Sequence, residues 1–223
     1  MSKYLDKVPF VTYSRKEEWL NSISHMVGGG FAIIMLIILL VKSFLCKNWW
    51  YGITAFLYGG TMIGMYACSA VYHALHEHDG KKAMRLVDHT MVFVFMASSI
   101  TPFALCSLRP EHPVLGWLLF GVAWLCTAGS VTMIFINIRK TRVLQMILCM
   151  VEGWMVIFLI KYLLRLLGPV GFGLLLGGGV VYTIGAILYG IGAKKKYIHG
   201  VFHFFVIAAS IMHFFVILLF VYK

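Results

Sequence analysis

Two histidines near the end of the chain have a spacing that suits metal coordination. His199 and His203 are four residues apart, so both imidazoles lie on one face if the segment is helical. Such a pair can hold one metal ion, and a catalytic zinc takes a third protein ligand and a water. His73 is the natural third ligand, because it ends another apolar run at the same predicted end of the molecule. The spacing therefore predicts a zinc site made by His73, His199 and His203.

Two further polar residues are predicted beside this site. Ser69 lies one helical turn before His73, and Asp88 opens the next apolar run. A carboxylate there can orient a ligand or act as the base for a metal-bound water. A hydroxyl can orient the same water or stabilise an oxyanion. We therefore predict Asp88 and Ser69 as catalytic residues.

A wider polar cluster surrounds the predicted site. Asn21 and His25 are four residues apart near the entrance of the first apolar run. In the last run, Ser210 and His213 fall on the same helical stripe as His199. A polar stripe on an apolar helix is expected to face the interior of a bundle rather than lipid. The cluster comprises Asn21, His25, Glu17, Ser210, His213 and Glu152.

Glu152 is the member of this cluster whose role stays open. It lies near the middle of the fifth apolar run, where a lone carboxylate is costly and is expected to be neutral or paired. It is either part of a substrate cavity or proton relay, or a partner in an internal hydrogen bond.

The elements that must position these residues are long apolar helices. Residues of the AVILMFWYC set make up 61% of the 223 residues, charged residues make up 12%, and the mean hydropathy is +0.89. Soluble domains are about 45–50% apolar and about 25% charged, so this composition excludes an ordinary cytosolic globule and a disordered chain. About 20 apolar residues in a helix cross the bilayer core. We predict an all-α polytopic membrane protein, a single seven-helix domain over 1–223 with a short N-terminal segment at 1–18 and spans at 20–41, 49–73, 88–108, 113–137, 143–164, 169–192 and 198–221.

The net charge of +11 predicts the orientation of this bundle. Lys and Arg are enriched in the N-terminal segment and in every second loop, which by the positive-inside rule places the N-terminus in the cytoplasm and the C-terminus outside. The predicted site then lies near the cytoplasmic face. The charges are dispersed over four segments that can contact anionic lipid, so we predict no nucleic-acid partner. The basic segments contain Lys3, Lys7, Arg15 and Lys16; Lys81, Lys82 and Arg85; Arg139, Lys140 and Arg142; and Lys194, Lys195 and Lys196.

Taken together, the motifs resemble the hemolysin III family, which is grouped with the progestin and adipoQ receptors and, more widely, with the alkaline ceramidases. The resemblance covers the chain from about Glu17 to Tyr222. It rests on Ser69-x-x-x-His73, on Asp88 at the start of the next run and on His199-x-x-x-His203. Three longer stretches agree with it: Glu17-Glu18-x-x-Asn21-x-x-x-His25-x-x-Gly28, Cys68-Ser69-Ala70-Val71-Tyr72-His73, and Phe202-His203 through Ser210-x-x-His213-Phe214-Phe215.

The resemblance implies a seven-helix bundle with a cytoplasmic N-terminus and an intramembrane zinc ion. The three ligands of the family fall on His73, His199 and His203, and its associated serine and aspartate fall on Ser69 and Asp88. An apolar residue is expected in the family where this chain has Glu152, so the chain departs from the pattern there.

Three functions remain open at this point. The first is a ceramidase-like, zinc-dependent hydrolase of a lipid amide or ester whose lipid substrate enters from the bilayer. The second is a membrane-perturbing cytolysin, the activity for which the hemolysin III family is named. The third is a receptor or regulatory protein in which the zinc is structural. We predict a multi-pass protein of the cell membrane, that is, the cytoplasmic (inner) membrane of a bacterium, and the sequence does not indicate an oligomeric state.

Overall fold

The chain folds into a bundle of long helices in the computed structural model, which describes Leu5, Val8 and residues 11–192 and 195–223. Every regular element in these residues is helical. Lys3, Lys7 and Lys194 of the predicted basic segments lie outside the described residues, as does most of the stretch before Val11. The main helices are α1 (Arg15–Leu45), α2 (Trp49–Ala74), α3 (Asp79–Pro102), α4 (Pro113–Asn137), α5 (Arg142–Trp154), α6 (Ile160–Gly192) and α7 (Ile198–Val216).

Helix α1 begins at a capping box. The Ser14 backbone N–H donates to the Glu17 carboxylate (3.0 Å), and the Glu17 backbone N–H donates to the Ser14 hydroxyl (3.4 Å). The helix then continues for 31 residues, more than the bilayer core requires. Ile34 and Ile37 are more than half exposed on its outer face. Exposed apolar side chains of this kind are compatible with lipid and not with water.

Helix α3 begins nine residues before the predicted span. Its first turns contain Lys81, Lys82 and Arg85, which we expected in a loop. The difference arises because hydropathy detects only the apolar part of a helix, whereas the polar first turns are equally helical. At its other end, Pro102 has no N–H, and the chain continues as a π-helix over Phe103–Leu108 and a short turn over Arg109–Glu111.

The stretch from α5 to α6 contains a sharp break. A 3-10 turn at Met155–Leu159 joins the two helices, and the 51 residues from Arg142 to Gly192 are largely apolar and nearly all helical. A straight helix of that length would measure about 77 Å, far more than the bilayer core of about 30 Å. The chain bends at Gly168, whose φ of 70° and ψ of 171° suit only glycine, just before Pro169.

Five stretches of the described residues are long and apolar enough to cross a membrane, and α2 has 26 residues. Together with the exposed apolar faces, they make the chain a polytopic all-α membrane protein in contact with the lipid bilayer. The five stretches are Arg15–Leu45, Asp79–Glu111, Pro113–Asn137, Arg142–Gly192 and Ile198–Val221.

The packing of the bundle brings the two ends of the chain together. Helix α1 packs along α2, α6 packs along α7, and α7 also contacts α1. The main core cluster includes Tyr58, Met62 and Tyr66 of α2 and reaches Phe214 and Ile217 at the end of the chain. Helices α1, α2 and α7 therefore meet on one side of the bundle, and the site described next lies where they meet.

Candidate metal centre

Three histidines from two helices converge on one point. Nε2 of His199 lies 3.3 Å from Nε2 of His73 and 3.2 Å from Nε2 of His203. Each of the three offers one ring nitrogen, and these nitrogens lie within 4.8 Å of one another. All three histidines are buried. The predicted juxtaposition of His73 with the His199–His203 pair is therefore present in the fold.

The elements position these rings in different ways. His199 lies in the first turn of α7 and His203 one turn further, so the helix itself aligns the pair. His73 lies in the last turn of α2. Helix α1 packs against both helices and supplies the side chains behind the rings. The ring of Tyr13, just before α1, stacks on His199 with 5.1 Å between centroids.

The outer nitrogens of two rings have partners that select the tautomer. Nδ1 of His73 donates to Glu18 Oε2 at 2.6 Å. Nδ1 of His203 lies 3.2 Å from the carbonyl oxygen of Asn21, which can only accept, and 3.0 Å from the Ser24 hydroxyl. Protonation at Nδ1 leaves a lone pair on Nε2, and this is the arrangement of a metal-bound histidine with its outer partner.

Glu18 is held by a buried lysine. Its second oxygen, Oε1, accepts from Lys81 Nζ at 2.6 Å, and Lys81 Nζ also donates to the Leu75 carbonyl at 2.9 Å. The chain of contacts runs Lys81–Glu18–His73 and joins α3, α1 and α2. Lys81 therefore orients and neutralises the carboxylate that orients the histidine.

The donor set fits zinc. Neutral imidazole nitrogens are good zinc ligands, and a Zn–N distance of about 2.0–2.1 Å in tetrahedral geometry separates neighbouring nitrogens by about 3.3 Å. The distances from Nε2 of His199 to Nε2 of His73 (3.3 Å) and of His203 (3.2 Å) agree with that separation. Three lone pairs facing one another without a cation would repel, so the cluster could bind a metal ion.

Ser69 and Asp88 lie beside the histidines. Ser69 is buried one turn before His73, and its hydroxyl lies close enough to the Asp88 carboxyl group to interact with it. Asp88 lies close enough to His73 and Arg85 to interact with both electrostatically. Both residues line the same cavity as His203. The structure thus places the predicted hydroxyl and carboxylate together at the histidine cluster.

The predicted polar cluster divides into two groups. Asn21 and His25 lie at the site: the Asn21 side-chain nitrogen is 3.5 Å from Nδ1 of His73, and the His25 ring stacks on His203 with 3.6 Å between centroids. Ser210 lies deeper and bonds to the hydroxyls of Tyr66 (3.0 Å) and Tyr182 (2.8 Å).

His213 and Glu17 also have roles away from the histidine cluster. His213 is ten residues beyond His203 on α7, a rise of about 15 Å, and its Nε2 lies 3.2 Å from the Leu175 carbonyl. Glu17 belongs to the α1 cap, and its Oε1 accepts from the Tyr197 backbone N–H at 2.8 Å. Glu17 therefore ties α1 to the segment before α7 rather than contacting the imidazoles.

Glu152 lies on the other side of the bundle. It is fully buried, and its Oε1 accepts from the Thr127 hydroxyl of α4 at 2.8 Å. It is not among the residues that line the cavity, although its neighbours Cys149 and Gly153 are. Of the two roles left open, this position favours the internal hydrogen bond.

A cavity of about 230 Å³ connects the histidine cluster to the interior of the bundle. Near the cluster its wall contains Ser69, Asp88 and His203. Elsewhere the wall is mainly apolar, although Ser99, Gln145, Thr183 and His213 also line it. Its deeper lining includes Met65, Phe95, Phe103, Val156 and Leu175. A mainly apolar space beside a buried polar site is the form expected for binding a lipid chain.

The sequence analysis assigns no role at the site to Glu18, Lys81 or Ser24, although Glu18 is part of the motif at the start of the first run. A signal existed for Glu18, because it precedes Asn21 by three residues and His25 by seven, on one stripe of α1. The predicted polar cluster contains its neighbour Glu17 instead. The Glu17 side chain points about 100° away from that of Glu18 around the helix axis. No comparable signal exists for Lys81, whose contact with Glu18 spans 63 positions of sequence.

The chain matches known proteins over nearly all of its length. The profile of the haemolysin-III related family matches residues 13–214. The chain is 31% identical to Hemolysin-3 of Bacillus cereus over 216 residues, which is 97% of each protein. It is 28% identical over 211 residues to the Hemolysin-3 homolog of Bacillus subtilis (strain 168), covering 95% of this chain and 97% of the relative.

A more distant similarity extends beyond bacteria. The monocyte to macrophage differentiation factor of Homo sapiens is 23% identical over 185 residues, 80% of this chain and 75% of that protein. The matched region of the family profile includes His73, His199 and His203, and it extends over nearly all the described helices. These matches, together with the helices and the buried histidine cluster, show that the chain belongs to the haemolysin-III related family, within the progestin and adipoQ receptor superfamily.

Proposed function

We propose that the protein is a zinc-dependent hydrolase that cleaves an amide or ester bond of a membrane lipid. The observation that supports this most directly is that the buried three-histidine cluster adjoins a mainly apolar cavity, whose wall includes His199 and His203. A site that only held helices together would need no cavity beside it. A lipid in this cavity would place an acyl chain in the apolar part and its polar linkage at the histidines.

The roles of the residues follow from their contacts. His73, His199 and His203 would hold the zinc ion, which when bound supplies Lewis acidity and an activated water. Glu18 keeps Nδ1 of His73 protonated so that Nε2 faces inward, and the Asn21 carbonyl does the same for His203. Asp88 accepts the proton of the attacking water and returns it to the leaving group. Ser69 donates its hydroxyl proton toward the oxyanion.

Lipid access from the bilayer fits this scheme. The cavity lies inside a bundle whose outer faces are apolar, so a lipid substrate does not have to cross water to reach it. The mainly apolar wall suits an acyl chain, while Ser69, Asp88 and the histidines provide polar groups for its linkage. The enclosure therefore matches a substrate with one hydrolysable polar linkage and a long apolar tail.

We further propose seven membrane crossings in one domain, in which the run from Arg142 to Gly192 crosses twice with its turn at Gly168. The positive-inside rule then places the N-terminus in the cytoplasm, the C-terminus outside and the histidine cluster near the cytoplasmic face. The bacterial relatives support the cytoplasmic membrane of a bacterium as its location.

The test is metal content combined with turnover. Wild-type protein purified in a mild detergent should contain about one zinc per chain by elemental analysis, as one cluster of this kind predicts. His199→Ala combined with His203→Ala should remove the zinc. Ceramide-like amides and lysophospholipid esters are then offered as substrates, and His73→Ala should abolish their hydrolysis.

The matched control is His112→Ala, which changes a half-buried histidine far from the cluster in sequence and outside the cavity. It should retain both zinc and turnover. The assignment fails if wild-type protein carries no metal, or if the double variant keeps it.

Two other functions have an observation each in their favour. The relative from Bacillus cereus is called Hemolysin-3, which supports a membrane-perturbing activity. Leakage of dye from liposomes that is unchanged in His73→Ala would favour it.

The histidine cluster joins α2 to α7 with α1 behind them, which supports a structural zinc in a receptor or regulator. Unfolding by a chelator, with no hydrolysis of any lipid offered, would favour that role.

A further inference from the structure

The wall of the cavity carries one more positive charge than negative charge. Within the described part of the chain, the charged residues in the cavity wall are Arg85, Asp88 and Arg142. Arg85 and Asp88 are one turn apart on α3 and interact electrostatically, so their charges offset each other. Arg142 has no carboxylate within salt-bridge distance among the described residues. Arg142 is therefore the excess cation of this wall.

Arg142 belongs to a continuous surface made by three helices. It is the first residue of α5, and its guanidinium carbon lies 5.7 Å from the ring centroid of Tyr189 on α6. The Tyr189 ring meets the His89 ring of α3 edge-on, with 6.3 Å between centroids. All three side chains line the cavity. We call Arg142, Tyr189 and His89 the basic wall.

The polar groups of the basic wall face the cavity without internal hydrogen bonds. His89 is partly exposed, and in the described part of the chain its imidazole makes no hydrogen bond. Arg142 is exposed and His89 is partly exposed, so both side chains are accessible to a ligand in the cavity that they line. The stacked Tyr189 ring holds the Arg142 guanidinium while leaving its N–H groups able to donate.

The basic wall is close to the histidine cluster. His89 and Arg85 both act electrostatically on His199, and Tyr189 lies 5.8 Å from His199 between ring centroids. A group bound at the basic wall would therefore sit next to the linkage held at the histidines. The apolar part of the cavity extends the other way, toward Phe103 and His213.

We propose that the basic wall binds the anionic headgroup of the lipid substrate, a carboxylate or a phosphate within a few bonds of the amide or ester. Arg142 donates to the anion and His89 supplies a second hydrogen bond. A guanidinium suits both anions because its planar donors pair with two oxygens at once. That this lipid is hydrolysed rests on the proposed function. That the basic wall binds anionic lipids more tightly than neutral ones does not.

The experiment compares lipids that differ only in charge. N-palmitoylglycine is paired with N-palmitoylethanolamine, and palmitoyl lysophosphatidic acid with monopalmitoylglycerol. Dissociation constants are measured by native mass spectrometry on purified full-length protein in a neutral detergent. A charged hydrogen bond predicts that wild-type protein binds the anionic member about 10-fold or more tightly. The pair with the larger difference identifies a carboxylate or a phosphate as the preferred anion.

Variants of two arginines test whether the tighter binding of anionic lipids depends on Arg142. Arg142→Gln should reduce the difference to about 2-fold or less, and Arg142→Lys should keep most of it because the charge remains. The matched control is Arg139→Gln, an exposed arginine three residues earlier that does not line the cavity, and it should keep the preference. The proposal is overturned if the wild type binds both members equally, or if Arg139→Gln loses the preference as Arg142→Gln does.

The outcomes separate this proposal from the proposed function. A charge preference that depends on Arg142, in a protein that hydrolyses none of the lipids, keeps the headgroup subsite and rejects the hydrolase. Hydrolysis with equal binding of charged and neutral lipids keeps the hydrolase and rejects the subsite.

Discussion

At the scale of single residues, the site is defined by what lies behind the ligands as much as by the ligands. Glu18 contacts the outer nitrogen of His73 at 2.6 Å, and Lys81 contacts Glu18 at the same distance. A carboxylate behind a metal-bound imidazole fixes its orientation and raises its basicity. Glu18 is therefore expected to determine how tightly the histidines hold zinc, although it is not itself a ligand.

Replacing Glu18 with glutamine tests this role. Glu18→Gln keeps the size of the side chain but removes its charge, so zinc affinity should fall by about 10-fold to 100-fold. The measurement is competition for zinc with a chromophoric chelator. Glu17→Gln is the control, because Glu17 caps α1 and contacts Tyr197 instead of the imidazoles. Equal zinc affinity in wild type and Glu18→Gln would show that Glu18 has no influence on the metal.

Ser14, the N-cap residue of α1, gives a second prediction at this scale. Ser14→Ala removes the hydroxyl that accepts from the Glu17 backbone N–H, and the loss of such a cap costs about 0.5–2 kcal/mol. Thermal unfolding in detergent should shift downward, while the zinc content stays as in wild type. A variant that unfolds at the wild-type temperature would show that other contacts hold the start of α1.

At the scale of elements, helix breaks shape the bundle as much as the helices do. The apolar run from Arg142 to Gly192 is too long to lie straight in a bilayer, and it bends at Gly168 in a conformation that only glycine adopts readily. On the opposite side, Pro102 leads into the π-helix at Phe103–Leu108, and Phe103 reaches the cavity wall. Both breaks follow from backbone chemistry at single residues.

Gly168 is open to a direct test. Gly168→Ala should destabilise the protein by about 1–3 kcal/mol, because a side chain strains this backbone conformation even though no atom lies within 4 Å of the added Cβ. Gly173→Ala is the control: it is helical, equally open around its Cβ, and should be neutral or slightly stabilising. Thermal unfolding of both variants in detergent gives the comparison, and equal stability of the two would contradict the strain.

At the scale of the whole molecule, the site exists because the ends of the chain meet. Ser24 of α1 contacts His203 of α7 across 179 positions, and His73 contacts His199 across 126. These contacts join α1, α2 and α7 around the cluster. The orientation of the bundle in the membrane then decides which compartment the cluster faces.

Alkaline phosphatase fusions in a bacterial host test that orientation and the number of crossings, since the enzyme is active only outside the cytoplasm. Fusions after Lys140 and Lys195 should be inactive, and fusions after Gly168 and Lys223 should be active. Inactive enzyme after Gly168 would contradict the double crossing of the run from Arg142 to Gly192. Active enzyme after Lys140 would contradict the proposed orientation.

The sequence by itself determined the class of the protein and the histidine cluster. Apolar runs long enough for a bilayer identify membrane helices, because backbone groups in lipid must be hydrogen-bonded within the helix. The four-residue spacing of His199 and His203 aligns them through helix geometry alone. His73 was predicted as their partner because uncommon polar residues in apolar helices gather in the interior.

Only the tertiary structure decided which residues lie behind the ligands and what surrounds the site. The Glu18–His73 and Lys81–Glu18 contacts, the stacking of His25 on His203 and the wall of Arg142, Tyr189 and His89 join residues far apart in the chain. Periodicity shows which face of a helix is polar, but not which helix that face will meet. The angle and depth at which helices pack depend on side chains from all of them at once, and therefore on the complete fold.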